Sequence, residues 1–181
     1  MYSLEEFVAY EKQQAITDSD IRQLVTRPIK IRNYYELTEK DTLETLCPRP
    51  GDGCVLFWKA PNKAIGHFNC ILRHTQTEYE WFDSYGMSPQ EVSNKVTHDG
   101  AKLLMPILRG KNVFYGKHAF QRGEDTNTCG RYVAFRFNCY AYRYHEFKHL
   151  LSYRGVSPDD LITLLTIQVD FSHVNARRGR R

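Results

Sequence analysis

The chain has 181 residues, 41% of them hydrophobic and 13% aromatic, enough for one sizeable core and incompatible with a disordered polymer. No run approaches the ~20 apolar residues of a membrane span, and residues 1–6 lack the basic and apolar regions of a secretory leader. A soluble, intracellular protein with no membrane partner is therefore expected. The net charge is +4, but Arg177, Arg178, Arg180 and Arg181 account for all of it, so the body is neutral and the basicity belongs to a tail, 175–181. Such a tail can contact DNA phosphates through counterion release, or it can be a solvated terminus without a role; composition allows both. Five cysteines cannot all pair, and none forms a CxxC. Neither a disulfide framework nor a zinc ribbon is suggested, and no cofactor is expected.

The N-terminal third reads as short helices. Ser3 and Glu6 have capping-box spacing ahead of Phe7, Val8 and Tyr10. The TDSD run at 17–20 precedes Ile21, Leu24 and Val25 at helical intervals, and Pro28 stops that helix. Residues 29–35 read as extended or irregular. Thr38 is expected to cap a third short helix carrying Leu43 and Leu46, which ends before Cys47-Pro48. Gly51-Asp52-Gly53 is a turn.

The middle is strand-like. Residues 54–58 form an apolar run that Pro61-Asn62-Lys63 breaks. Residues 67–72 (HFNCIL) follow Gly66, and 78–82 (EYEWF) follow a polar turn, which suggests an antiparallel hairpin. Ser88-Pro89-Gln90-Glu91 is a helix start with cap, proline and acidic N3 residue. The apolar stretch 101–108 contains Pro106 and takes no assignment. Residues 112–120 read as a strand, 122–128 as a polar loop. Cys129-Gly130 then opens a buried helix with Tyr132, Val133, Phe135 and Phe137. Aromatic density continues through Tyr140, Tyr142, Tyr144 and Phe147 to a helix stop at Gly155. A last helix, started by Ser157 to Asp160, carries Leu161, Leu164, Leu165 and Ile167. The order gives one α+β domain, 1–174.

The stretch from Phe120 to Arg136 carries the chemistry. A cysteine at a helix start meets unpaired N–H groups and the positive end of the helix dipole, which favour a thiolate. The same N–H groups can hold an oxyanion, with the Gln121 amide as second donor. A nucleophile needs a base, and that base needs an orienting partner. His67 starts one strand and Asp83 ends the next, so a hairpin brings them side by side. Asp83 is expected to accept the Nδ1–H of His67, leaving Nε2 for the thiol. The structural alternatives are a buried cysteine and two strand-capping polar residues. Of the other cysteines, Cys54 and Cys70 are expected in the core, Cys139 packed in the helix, and Cys47, beside Pro48, exposed.

The order His, Asp, Gln, Cys, with GHF at His67, WFDSYG at Asp83 and FQ…TCGRYVAF at Cys129, resembles the adenovirus-protease (adenain) family, relatives of the SUMO- and ubiquitin-like isopeptidases. The DSYG block and ITDSDI near the N-terminus are most similar to the versions in virophages, Maverick/Polinton elements and large DNA viruses. The resemblance runs from about Gly51 to Phe137. It implies a small mixed β-sheet flanked by helices with the nucleophile at a helix N-terminus. It also implies a thiol endopeptidase with His67 as base, Asp83 as orienting acid, Gln121 in the oxyanion hole and Cys129 as nucleophile. The implied substrate is a viral capsid or other structural protein, cleaved after a small residue during maturation, in the virus factory and the virion. The adenovirus relative takes a disulfide-linked activating peptide and uses DNA; no cysteine here marks an equivalent peptide attachment. Phe68 departs from the Trp of many relatives, and Asp83 from the Glu of the adenovirus enzyme.

Three other readings compete. An isopeptidase for a ubiquitin-like modifier would use the same four residues. A capsid-associated DNA-binding protein would use the tail and leave Cys129 idle. His145-Glu146-Phe147-Lys148-His149 matches the HExxH zinc motif, but Lys148 puts a cation inside it and His173, past the last helix, is no clear third ligand. Two surface histidines on a helix is the preferred reading.

Overall fold

A computed structural model describes residues 3–59, 66–123 and 126–167. The Pro61-Asn62-Lys63 break, His173 and the tail arginines Arg177, Arg178, Arg180 and Arg181 lie outside the described residues. The chain divides into two compact units, one of residues 27–119 and one that joins the N-terminal residues to 26 with those from 120 onward.

The 27–119 unit is built on a five-stranded mixed sheet in sequence order, β1 (Lys30–Asn33), β2 (Gly53–Lys59), β3 (Gly66–Arg73), β4 (Glu78–Phe82) and β5 (Asn112–Tyr115). β2, β3 and β4 are antiparallel neighbours, whereas β1 joins β2 and β5 joins β4 in parallel. The hairpin of β3 and β4 agrees with its sequence reading. The extended or irregular stretch 29–35 resolves into β1 and a 3₁₀ turn at Tyr34–Glu36, whereas the strand expected over 112–120 stops at Tyr115. The third helix is α3 (Leu43–Leu46), capped by Thr42 and not by Thr38, whose hydroxyl and N–H both engage Asp41. The stretch 101–108 is a turn followed by α5 (Met105–Leu108), with Pro106 in its first turn where a missing N–H costs nothing.

Period-2 alternation places Cys54, Leu56 and Trp58 on one sheet face with Ile71, Tyr79 and Trp81. Tyr34, Leu43, Leu46, Val92, Leu104 and Ile107 cover that face, from the 3₁₀ turn, α3, α4 (Pro89–Val96) and α5. Tyr34 stacks on Trp58 at 4.0 Å between ring centroids. Each large side chain buried here contributes about 1.5–3 kcal/mol. Cys47 is fully buried in this core, contrary to expectation, its thiol 3.7 Å from the Ile71 carbonyl. Proline neighbours are a poor guide to exposure when the next residues turn back over a sheet.

The other unit packs α1 (Leu4–Gln13), α2 (Asp18–Leu24), α6 (Cys129–Asn138), α7 (Tyr144–Leu150) and α8, residues 158–167. Capping boxes start α1 at Ser3, as its spacing implies, and α2 at Thr17. Gly155 takes φ +80° but lies in the turn after α7 instead of ending it. α8 buries Asp159, Ile162, Thr163 and Thr166, while Leu165 is half exposed. The leucine pattern misjudged its face because polar residues are used inside. Arg136 is fully buried and donates to the carbonyls of Cys139 and Tyr142, its guanidinium 5.0 Å from the Phe147 ring.

Candidate active site

His67 and Asp83 meet because of the sheet register. Cys70 pairs with Phe82, so one further step puts Asp83 opposite Asn69, and the pleat returns His67 to the same face. His67 Nε2 lies 2.6 Å from Asp83 Oδ2, with Asp83 fully buried and His67 7% exposed. A carboxylate only accepts, so Nε2 carries the hydrogen. This reverses the expected roles of the ring nitrogens: Asp83 takes Nε2, not Nδ1. The reason is lateral placement. Asp83 stands across from the residue two beyond His67, and the far nitrogen of the ring is the one that reaches it.

Asp83 is held by more than the histidine. Asn69 Nδ2 also donates to Oδ2, and the backbone N–H groups of Tyr85 and Met87 donate to Oδ1 at 2.8 and 2.9 Å. The Tyr85 bond is the turn in which an aspartate bonds the backbone two residues on, and the Met87 bond extends it to the fourth residue. Gly86 completes it with φ +70°, and a Cβ there would lie 2.7 Å from the Lys117 carbonyl. The DSYG block is thus a carboxylate and the turn that fixes it. Gly66, just before His67, is equally constrained, since a Cβ would overlap the Trp58 carbonyl and the Phe57 ring. The Tyr85 ring stands 5.5 Å from that of His67.

In the second unit Cys129 is the first residue of α6, as its sequence implies. Thr128, the N-cap, makes no side-chain hydrogen bond to the first turn; its hydroxyl instead donates to Asp159 Oδ1 at 2.7 Å. Gly130 admits the close packing of this helix end: a Cβ would meet Ile16 Cγ1 at 2.7 Å. The loop ahead of Cys129 is tied down at both ends by Asp159, whose Oδ2 accepts the Arg122 N–H at 3.1 Å. Asn127 is fastened to α1 through its N–H to the Lys12 carbonyl, 2.8 Å, and its amide to the Gln13 carbonyl, 2.6 Å. Tyr132 also donates to Asp159, and burial first, then that carboxylate, pushes its hydroxyl pKa up.

Gln121 is buried beside this loop, but its amide is not directed as expected. Nε2 donates to the Thr126 carbonyl at 2.8 Å and lies 3.1 Å from the Thr126 hydroxyl. To serve an oxyanion, one of those hydrogens has to leave Thr126. A short polar loop offers a long amide many local acceptors, and sequence does not say which one it takes.

Sequence reasoning missed Asn69, Thr126 and Asp159. Asn69 had one available signal, an amide inside an otherwise apolar strand. Glu146 of the HExxH stretch accepts the Arg143 N–H as the cap of α7, and His145 and His149 are exposed. Among the described residues no group of three or more His, Cys, Asp or Glu side chains is placed to hold a metal. No described helix is long and apolar enough to cross a membrane.

Compared with known proteins, the chain is similar to Uncharacterized protein V9 of Sputnik virophage, 29% identical over 180 residues that cover 91% of this chain and 100% of that protein. No family model matches the sequence. No solved structure matches the chain.

Proposed function

We propose that this protein is a cysteine endopeptidase that processes viral structural proteins during virion maturation. The observation that carries the reading is the buried His67–Asp83 pair in a chain whose Cys129 opens a helix with no side-chain cap. The similarity to a virophage protein supplies the viral setting, and the resemblance to adenain supplies the substrate class.

The reaction draws its base from one unit and its nucleophile from the other, and so requires thiol and ring to meet. With Nε2–H held by Asp83, Nδ1 is the nitrogen that takes the Cys129 proton. The thiolate attacks the peptide carbonyl, forming a C–S bond and an oxyanion. The Cys129 N–H and one hydrogen of the Gln121 amide stabilise that charge. The imidazolium gives its proton to the leaving amine as the C–N bond breaks. Water, deprotonated by His67, hydrolyses the thioester and releases Cys129.

The test couples thiol labelling to proteolysis. Burial pushes the Cys54 thiol up to about 12 and raises Cys47 and Cys139 as well, so their background labelling near neutral pH is slow. Cys129 is expected to be alkylated fastest, more slowly in His67→Ala, and the wild type but not Cys129→Ala is expected to cleave capsid proteins of the source virus. Cleavage that persists in Cys129→Ala sinks the reading. Preference for a Gly-Gly-tailed ubiquitin-like modifier over capsid protein reassigns the substrate to the isopeptidase class.

A further inference from the structure

Asn69 is fully buried between Phe68 and Cys70 of β3 and faces the same side as Leu56, its partner on β2, and Ile71. An amide inside such a layer is unfavourable unless its polar atoms are paired. Nδ2 is paired, on the same Asp83 oxygen that engages His67. Oδ1 has no hydrogen-bond partner among the described residues. A leucine of similar shape would fill this place without that unsatisfied acceptor, so packing does not account for the amide. The bond to Asp83 does.

We propose that Asn69 is a positioning residue for the His67–Asp83 pair. The Tyr85 and Met87 N–H groups hold Oδ1, and because both oxygens turn together about the Cβ–Cγ bond, a protein donor on Oδ2 makes that hold two-sided. Asn69 Nδ2 supplies it, on the oxygen that faces His67. It holds Oδ2 where it receives Nε2–H, and thereby fixes the direction in which Nδ1 points. The catalytic consequence rests on the proposed protease reading, but the positioning exists in the resting protein and is measurable there.

The first measurement is proton NMR of the resting wild type. A ring N–H held by a buried carboxylate resonates far downfield and exchanges slowly, and its loss in His67→Gln assigns it. In Asn69→Leu, and in Asn69→Ala should the leucine not fold, that resonance is expected to shift and broaden by exchange while circular dichroism and melting stay native. The kinetic counterpart is a kcat lowered roughly 10- to 100-fold, with KM changed by less than about twofold. A resonance that stays unchanged in both variants, or that is missing from the wild type, overturns the inference. A wild type that hydrolyses nothing removes the proposed reaction instead, and the resonance still decides the role of Asn69.

Discussion

The two units secure the proposed base and the proposed nucleophile by different means. In residues 27–119 the proposed base stands on a regular sheet, where pleat and register put His67, Asn69 and Asp83 on one face. Donors to Asp83 come from a neighbouring strand and from the turn that follows it. In the other unit Cys129 depends on single polar contacts between segments far apart in sequence: Asp159 to Arg122 and Thr128, and Glu11 to Arg131 at 2.9 Å. Repetition makes the sheet hard to disturb except at the reacting atoms. The loop ahead of Cys129 has no such repetition, and each fastening there is removable alone.

The largest effects sharpen that contrast at the reacting atoms. Cys129→Ala is expected to leave less than about one part in a thousand of wild-type hydrolysis with little change in melting temperature. Asp83→Asn keeps the shape but meets its four donors with an amide, and kcat is expected to drop roughly 10²- to 10⁴-fold by favouring the wrong tautomer of His67. Steady-state kinetics on one substrate measures both; retention of full activity in Asp83→Asn would remove the orienting role.

The next effects fall on stability in the nucleophile unit. Arg131 is buried on Glu11 and the Thr166 hydroxyl. Arg131→Met takes the guanidinium from the buried Glu11 carboxylate and is expected to cost about 3–5 kcal/mol by urea unfolding, most of it recovered in Glu11→Leu/Arg131→Met. A neutral single variant would break the comparison. Asp159→Ala is expected to cost about 1–3 kcal/mol and to alter the alkylation rate of Cys129, because Arg122 and Thr128 lose their acceptor. If the rate is unchanged, the loop is held by Asn127 and not by Asp159.

The smallest effect is at the surface of the sheet unit. Lys111 donates to Glu44 at 2.7 Å and is first among the causes that lower the Glu44 pKa to about 2. A folded value below the unfolded one gives a contribution that is complete above about pH 4.3 and fades as pH falls through about 2. Both side chains are solvent-exposed, so Lys111→Ala is expected to shift the melting temperature slightly at pH 6 and by less at pH 2. A shift as large at pH 2 as at pH 6 would assign the effect to packing of the lysine stem.

This contrast also explains what sequence could tell. The hairpin carrying His67 and Asp83 was legible because β3 and β4 are apolar runs separated by a polar turn. The capping boxes at Ser3 and Ser88 were legible because both partners lie within four residues. The stretch 29–35 read only as extended or irregular because a four-residue edge strand paired in parallel with β2 has no turn signal. The ring nitrogen that Asp83 takes depends on a two-residue offset that spacing alone leaves open. Asp159 could not be found from the sequence around Cys129, since it binds Thr128 from 31 positions away.

The discontinuous make-up of the nucleophile unit bears on the order in which the protein is assembled. Glu11 and Arg131 are 120 positions apart, and Asn138 holds the Thr26 N–H across 112. On a ribosome, α1 and α2 emerge first and have no packing partner until α6 has been made, while residues 27–119 already contain all their strands. The thiol would then acquire its surroundings last, which, for the proposed protease, would protect a nascent chain from its own reaction. Pulse proteolysis of stalled chains tests this: residues 27–119 should resist digestion at lengths where α1 is still cut.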